Sequence, residues 1–162
     1  MTNPTYQNEQ IKRQFFEHLK GGEGFAGDSV NKFAEAIHQW QIFSGNDDFS
    51  NFNKEKAAAF LEWQKTREAK TKTGQLSLVT QYNYLRRIKR FFLWLSQQPD
   101  YKTKIKKTDI DFLRHSKNDA RIATSGTTKK MPTFEEVRKI IESIEIKNEI
   151  DMRDRAILCF AL

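Results

Sequence analysis

Asn83, Arg86, Arg87 and Arg90 recur at three- and four-residue steps along one predicted helix, with Thr80, Gln81 and Tyr84 nearer its start. Guanidinium groups match phosphate oxygens in shape and charge, and side-chain amides match the donor and acceptor edges of bases. A helix that carries both on one face fits a DNA major groove. The same arginines, together with Lys89, would also serve as an ordinary solvated face, the common role of exposed cationic side chains.

Charge placement bears on that choice. The chain of 162 residues carries a net charge of +7, and residues 75–130 alone hold thirteen Lys and Arg against four Asp and Glu, a local excess of +9. Such a concentration is the electrostatic footprint of a phosphate-binding protein, although an anionic membrane surface would attract it equally. Lys102, Lys104, Lys106 and Lys107 form a second basic run, and Arg121, Lys129 and Lys130 continue it into a polar segment. Extended basic segments can track a phosphate backbone, and they are also common in solvated loops.

Other chemistries find no support. No GxxxxGK loop, GxSxG elbow or HExxH pair occurs, and Gly21-Gly22-Glu23-Gly24 follows a predicted helix and not a strand. His18, His38 and His115 are isolated, and the single cysteine, Cys159, excludes both an internal disulfide and a zinc finger. No metal, cofactor or catalytic constellation is expected. Trp40, Trp63 and Trp94 could stack on unpaired bases, but each lies on or beside an apolar stripe and is expected in the core. With no apolar run of membrane-spanning length and a polar residues 1–10, the chain is expected to be soluble and cytoplasmic, without a membrane partner. Cys159 lies in an apolar run, which predicts a buried, reduced thiol.

The elements that must position these residues are helical. Hydrophobic residues make up 38% of the chain, thirteen are Phe, and only three Pro and seven Gly interrupt it. Ile11, Phe15 and Leu19 place a first helix over residues 8–20, stopped by Gly21-Gly22. Asp28 or Ser29 is the expected cap of a second, with Val30, Phe33, Ile37 and Trp40 or Gln41 inward, ending at Ser44-Gly45. Asn53 opens a third helix to about Lys70, with Ala57, Phe60, Leu61 and Gln64 inward. Ser77 caps the fourth, whose stripe reads Leu78, Tyr82, Leu85, Ile88, Phe92 and Leu95 until Gln98-Pro99.

Thr108-Asp109-Ile110-Asp111 opens a short fifth helix ending near His115, and residues 117–130 lack apolar periodicity and read as a linker. Thr133 and Glu136 stand in capping-box register at the start of a new helical unit containing Val137, Ile140, Ile141 and Ile144. A further helix starts at Asp151 and runs into an apolar stretch, residues 156–162, that breaks off in mid-element. The expected organisation is a helical domain over 1–116, a basic linker over 117–130 and a remnant over 131–162. Ile157, Leu158, Phe160 and Leu162 of that remnant are expected to lack packing partners.

Taken in order, these segments resemble the tyrosine recombinase, or phage integrase, family. The resemblance rests on Asn8-Glu9-Gln10-Ile11-Lys12-Arg13, Asp28-Ser29-Val30, Ser77-Leu78-Val79-Thr80, Leu85-Arg86-Arg87-Ile88-Lys89-Arg90-Phe91-Phe92-Leu93-Trp94-Leu95 and Lys117-Asn118-Asp119-Ala120-Arg121-Ile122-Ala123. It continues through Pro132-Thr133-Phe134-Glu135-Glu136-Val137 and Arg153-Asp154-Arg155-Ala156-Ile157-Leu158-Cys159-Phe160-Ala161-Leu162, which are similar to the opening of the family's catalytic domain.

The resemblance implies an all-α fold: an orthogonal four- to five-helix SAM-like core-binding domain, a basic linker and the truncated helical start of a catalytic domain. It implies double-stranded DNA at a recombination or attachment site as partner, and other recombinase protomers when the full-length protein sits on DNA. The N-terminal parts of the second and fourth helices would face the groove with Ser29, Lys32, Thr80, Gln81, Asn83, Tyr84 and Arg87. Arg86, Arg90, Arg121, Lys129 and Lys130 complete the expected DNA-binding set.

The family's chemistry uses two arginines, a lysine, histidines and a tyrosine nucleophile on a DNA phosphate. None maps onto this chain: Tyr6, Tyr82, Tyr84 and Tyr101 all precede the linker, so the fragment itself is not expected to be an enzyme, whereas its parent would be a site-specific recombinase. The second helix departs from a phosphate-gripping pattern, with Lys32 as its only base beside Glu35. Two other readings stay open: a helical protein-interaction module with a solvated basic face, and a free-standing helical regulator, which would need a compact helix-turn-helix.

Overall fold

The first helix, α1 (Pro4–Glu17), places Ile11 and Phe15 on one side, and its last turn widens into a π-helical turn, His18–Gly22, that drops Leu19 into the same core. The computed structural model describes residues 4–67, 74–126 and 132–160. Among these residues the chain is all-α, with eight α-helices and no strand, and it divides into two compact units, residues 1–125 and 126–162.

Helix α2 (Gly27–Ser44) begins two or three residues earlier than the sequence indicates. Ala26 occupies the N-cap position and makes no side-chain bond, so neither Asp28 nor Ser29 is the cap. Both lie in the first turn instead, where the Asp28 carboxylate faces the positive end of the helix dipole. The helix ends at Gly45, whose φ of 66° is left-handed backbone that a side chain would strain.

Asn53 caps α3 (Lys54–Thr66), its Oδ1 accepting from the Lys56 amide at 2.8 Å. This helix ends before Lys70, which lies outside the described residues. Ser77 caps α4 (Leu78–Leu95) as expected, accepting from the Thr80 amide at 3.3 Å. Phe91 and Phe92 of α4 are fully buried, among Phe15, Phe33, Trp40, Phe49, Phe52 and Phe60. Trp40 is buried in that core and Trp63 and Trp94 pack against it, so the tryptophans are structural.

Asn8 is buried and joins α1 to the turn after α2. Its Nδ2 donates to the Asp47 carbonyl at 2.9 Å and its Oδ1 accepts from the Phe49 amide at 3.2 Å. Asp47 is itself held below the usual carboxylate range, first by the hydrogen bond from Lys56.

Helix α5 (Lys107–Ile110) is a single turn that buries Ile110, and the chain then buries Leu113 and His115 without further helix. The segment expected to be a linker opens instead with a helix, α6 (Lys117–Thr124), which packs on α4 and belongs to the first unit. Ser116 caps it through the Asp119 amide at 3.1 Å. Its half-buried residues are Asp119, Ala120 and Ala123. Small residues let two helices approach without an apolar stripe, which is why periodicity did not reveal it.

In the second unit α7 (Phe134–Glu142) carries the expected capping box: the Thr133 amide donates to Glu136 at 2.8 Å and the Glu136 amide to Thr133 Oγ1 at 3.2 Å. It packs on α8 (Glu149–Phe160). Ile141 is the one buried apolar residue described in this unit, while Ile157 is 58% and Phe160 96% exposed. Cys159 is exposed, correcting the expectation of a buried thiol, because α8 buries no residue.

Two measurements test this description. Asn8→Ala orphans a buried amide, that of Phe49, and a half-buried carbonyl, that of Asp47, and should cost about 2 kcal/mol in urea unfolding; a loss below about 0.5 kcal/mol, the scale of a neutral surface change, would contradict the role given to Asn8. In hydrogen exchange, amides of α7 and α8 should exchange on the order of a hundredfold faster than those of α4, because little apolar surface guards them; equal protection would overturn the incomplete core.

Candidate nucleic-acid interface

Helices α2 and α4 pack along one another, and a cleft of about 240 Å³ opens between them. Ser29, Lys32 and Phe33 line it from α2, Asn83, Arg86, Arg87 and Arg90 from α4, and Phe25 from the preceding turn. On each helix these residues are three or four positions apart, so one face supplies them all. Six residues expected from sequence therefore converge: Ser29, Lys32, Asn83, Arg86, Arg87 and Arg90. Lys32 and Arg86 are exposed, while Ser29, Asn83 and Arg87 are half-buried.

The cations of the cleft are not equivalent. Arg90 pairs with Glu23, and its guanidinium lies 4.9 Å from the centre of the Phe25 ring and 5.9 Å from that of Phe33. Among the described residues, Glu23 is the only carboxylate paired with a cation of the cleft. Lys32, Arg86 and Arg87 keep their charge available. Three uncompensated cations beside an amide and a hydroxyl can hold phosphate oxygens while offering hydrogen bonds to base edges.

Gln81 and Tyr84 belong elsewhere. Both are buried: Gln81 donates through Nε2 to the Leu76 carbonyl at 2.8 Å, and the Tyr84 hydroxyl donates to Glu35 Oε1 at 2.6 Å. The buried arc of α4 runs through Gln81, Tyr84, Leu85, Ile88, Phe91, Phe92 and Leu95, rotated at its start from the predicted stripe, so Tyr82 is only half-buried. Neither Gln81 nor Tyr84 faces the cleft, and both are reassigned to structure. Glu35, the acid that departed from a phosphate-gripping pattern on α2, is engaged by Tyr84.

Thr80 belongs to the N-cap of α4, its hydroxyl 2.8 Å from that of Ser77, and does not line the cleft. Arg121 is exposed on α6, donating to Asn118 Oδ1 at 3.2 Å, and is also outside the cleft lining. Lys129 and Lys130 lie outside the described residues. Sequence reasoning missed Phe25, Phe33 and Glu23 as parts of the site. Phe33 was legible only as a core residue, and nothing local connects Glu23 to an arginine far along the chain.

Among the described residues no group of His, Cys, Asp and Glu is placed to hold a metal ion, and no helix is long and apolar enough to cross a membrane. Compared with protein-family models, with curated proteins and with solved structures, the chain finds no match.

Burial, and next the hydrogen bond to Glu35, push the Tyr84 hydroxyl up to about 12. Its folded value lies above its unfolded one, so its contribution to stability is complete below about pH 10 and is lost as the pH rises through about 12. Tyr101, raised by burial, acts in the same direction. Urea midpoints measured across that window should fall with rising pH in the native chain and fall less steeply in Tyr84→Phe; identical slopes would show that Tyr84 is not the group responsible.

Proposed function

We propose that this chain binds double-stranded DNA through the cleft between α2 and α4, as the core-binding part of a tyrosine-type site-specific recombinase. The observation that carries this reading is the convergence of Lys32, Arg86 and Arg87 from two helices with no carboxylate among the described residues paired to them. Like charges placed together cost energy in the free protein, so their convergence marks a surface that meets an anion. Ser29 and Asn83 lie in the same cleft, which suits a ligand with both phosphates and base edges.

The wider charge pattern and the ordered resemblance to recombinases support the same reading. The cations stand on packed helices and not on a loose arm, so little side-chain and backbone freedom is lost on binding. In this reading the chain itself contributes binding, the parent protein supplies strand cleavage and joining, and other protomers assemble with it on the recombination or attachment site. Exposed Ile140, Ile150, Met152 and Ile157 in the second unit favour the alternative of a helical protein-interaction module. That alternative expects indifference to DNA.

Fluorescence anisotropy of a labelled random-sequence duplex across a salt series separates the two. Binding should weaken steeply with salt, and Arg86→Gln with Arg87→Gln should lower the slope of log K against log salt by about 2, the loss of two phosphate contacts. Absence of binding at low salt, or a slope indifferent to both substitutions, would overturn the reading.

A further inference from the structure

Glu23 pairs with Arg90, one of the four charged residues that line the cleft, all of them cations. The turn that carries it is anchored: the Glu23 amide donates to the His18 carbonyl at 3.2 Å, and the Phe25 amide to the Leu19 carbonyl at 2.9 Å. Between them Gly24 takes a φ of 70°, which turns the backbone away from α1 toward α2. The carboxylate is thus held in place. Its Oε1 lies 3.2 Å from His18 Nε2, and its Oε2 accepts from Arg90.

Arg90 is held from two sides, by this carboxylate and by the faces of Phe25 and Phe33. A guanidinium stacked on aromatic rings with its donors turned to a carboxylate is a poor clamp for a further anion, since a phosphate must first displace the acid. Resting on the reading of this cleft as a phosphate site, we infer that Glu23 is an affinity-limiting residue: it keeps Arg90 off the phosphate backbone, so duplex is held by Lys32, Arg86 and Arg87 only. Phosphate contacts supply the sequence-independent share of DNA binding, and that is the share an acid at this position lowers.

Four versions of the full chain test this: native, Glu23→Gln, Arg90→Gln and the double variant, each titrated with a random-sequence duplex across a salt series. Glu23→Gln keeps the size of the side chain and a hydrogen-bonding partner for His18; Glu23→Ala, run beside it, removes both, and thermal melts confirm that each variant is folded. Glu23→Gln should tighten binding about three- to tenfold near 0.1 M salt and steepen the salt slope by about one contact, because Arg90 becomes available. Arg90→Gln alone should leave the slope nearly unchanged, and the double variant should return to it.

Native binding with no gain in either Glu23 variant overturns the inference and leaves the cleft reading intact. A gain that persists when Arg90 is also replaced overturns it as well, showing a general charge effect. A chain that binds duplex neither before nor after the substitutions overturns the inference together with the reading on which it rests.

Discussion

The first unit is organised around two adjacent residues, Phe91 and Phe92, both 0% exposed. Successive side chains on a helix diverge by about 100°, so burying both requires protein around a wide arc of α4. Phe91 meets Phe15 at 5.2 Å and Phe49 at 4.9 Å, while Phe92 meets Trp40 at 4.9 Å and Phe52 at 4.0 Å. Most of these contacts are edge-on or tilted, the arrangement that aromatic quadrupoles favour, worth about 0.5–1.5 kcal/mol per pair beyond the area buried. Through them α1, α2 and the 3₁₀ turn Phe49–Asn51 are all fixed against α4. The cations occupy the arc that this arrangement leaves over.

The acids near the cleft show how its charge is regulated by packing. Of these acids, only Glu23 cancels a base of the cleft among the described residues. Glu35 accepts from the Tyr84 hydroxyl, whereas Glu23 is engaged by Arg90 and lies beside His18. What remains is a surface where Lys32, Arg86 and Arg87 have no carboxylate partner among the described residues, standing on packed helices.

The second unit shows what local signals can and cannot do. A capping box starts α7, and Asp151 bonds near the start of α8, its Oδ2 accepting from the Lys147 amide at 3.0 Å. Those interactions define helices. They do not define a core: two short helices enclose too little volume to hide Ile140, Ile150 and Phe160, and among the described residues of this unit only Ile141 is buried.

Much of this protein was legible in the order of its residues, because the relevant interactions span one or two helical turns. The caps at Asn53, Ser77 and Thr133, the inward stripes of α1 to α4 and the shared face of Asn83, Arg86, Arg87 and Arg90 all follow from such spacing. At the margin of a stripe the neighbouring position is a single step of about 100° away, and spacing does not choose between them. Tyr84, and not Tyr82, turned inward because Glu35, 49 residues distant, receives its hydroxyl. Arg90 is held because Glu23, 67 residues distant, reaches it, and α6 forms where α4 offers it a surface. These choices depend on partners that only the folded chain brings within reach, so tertiary packing decided them.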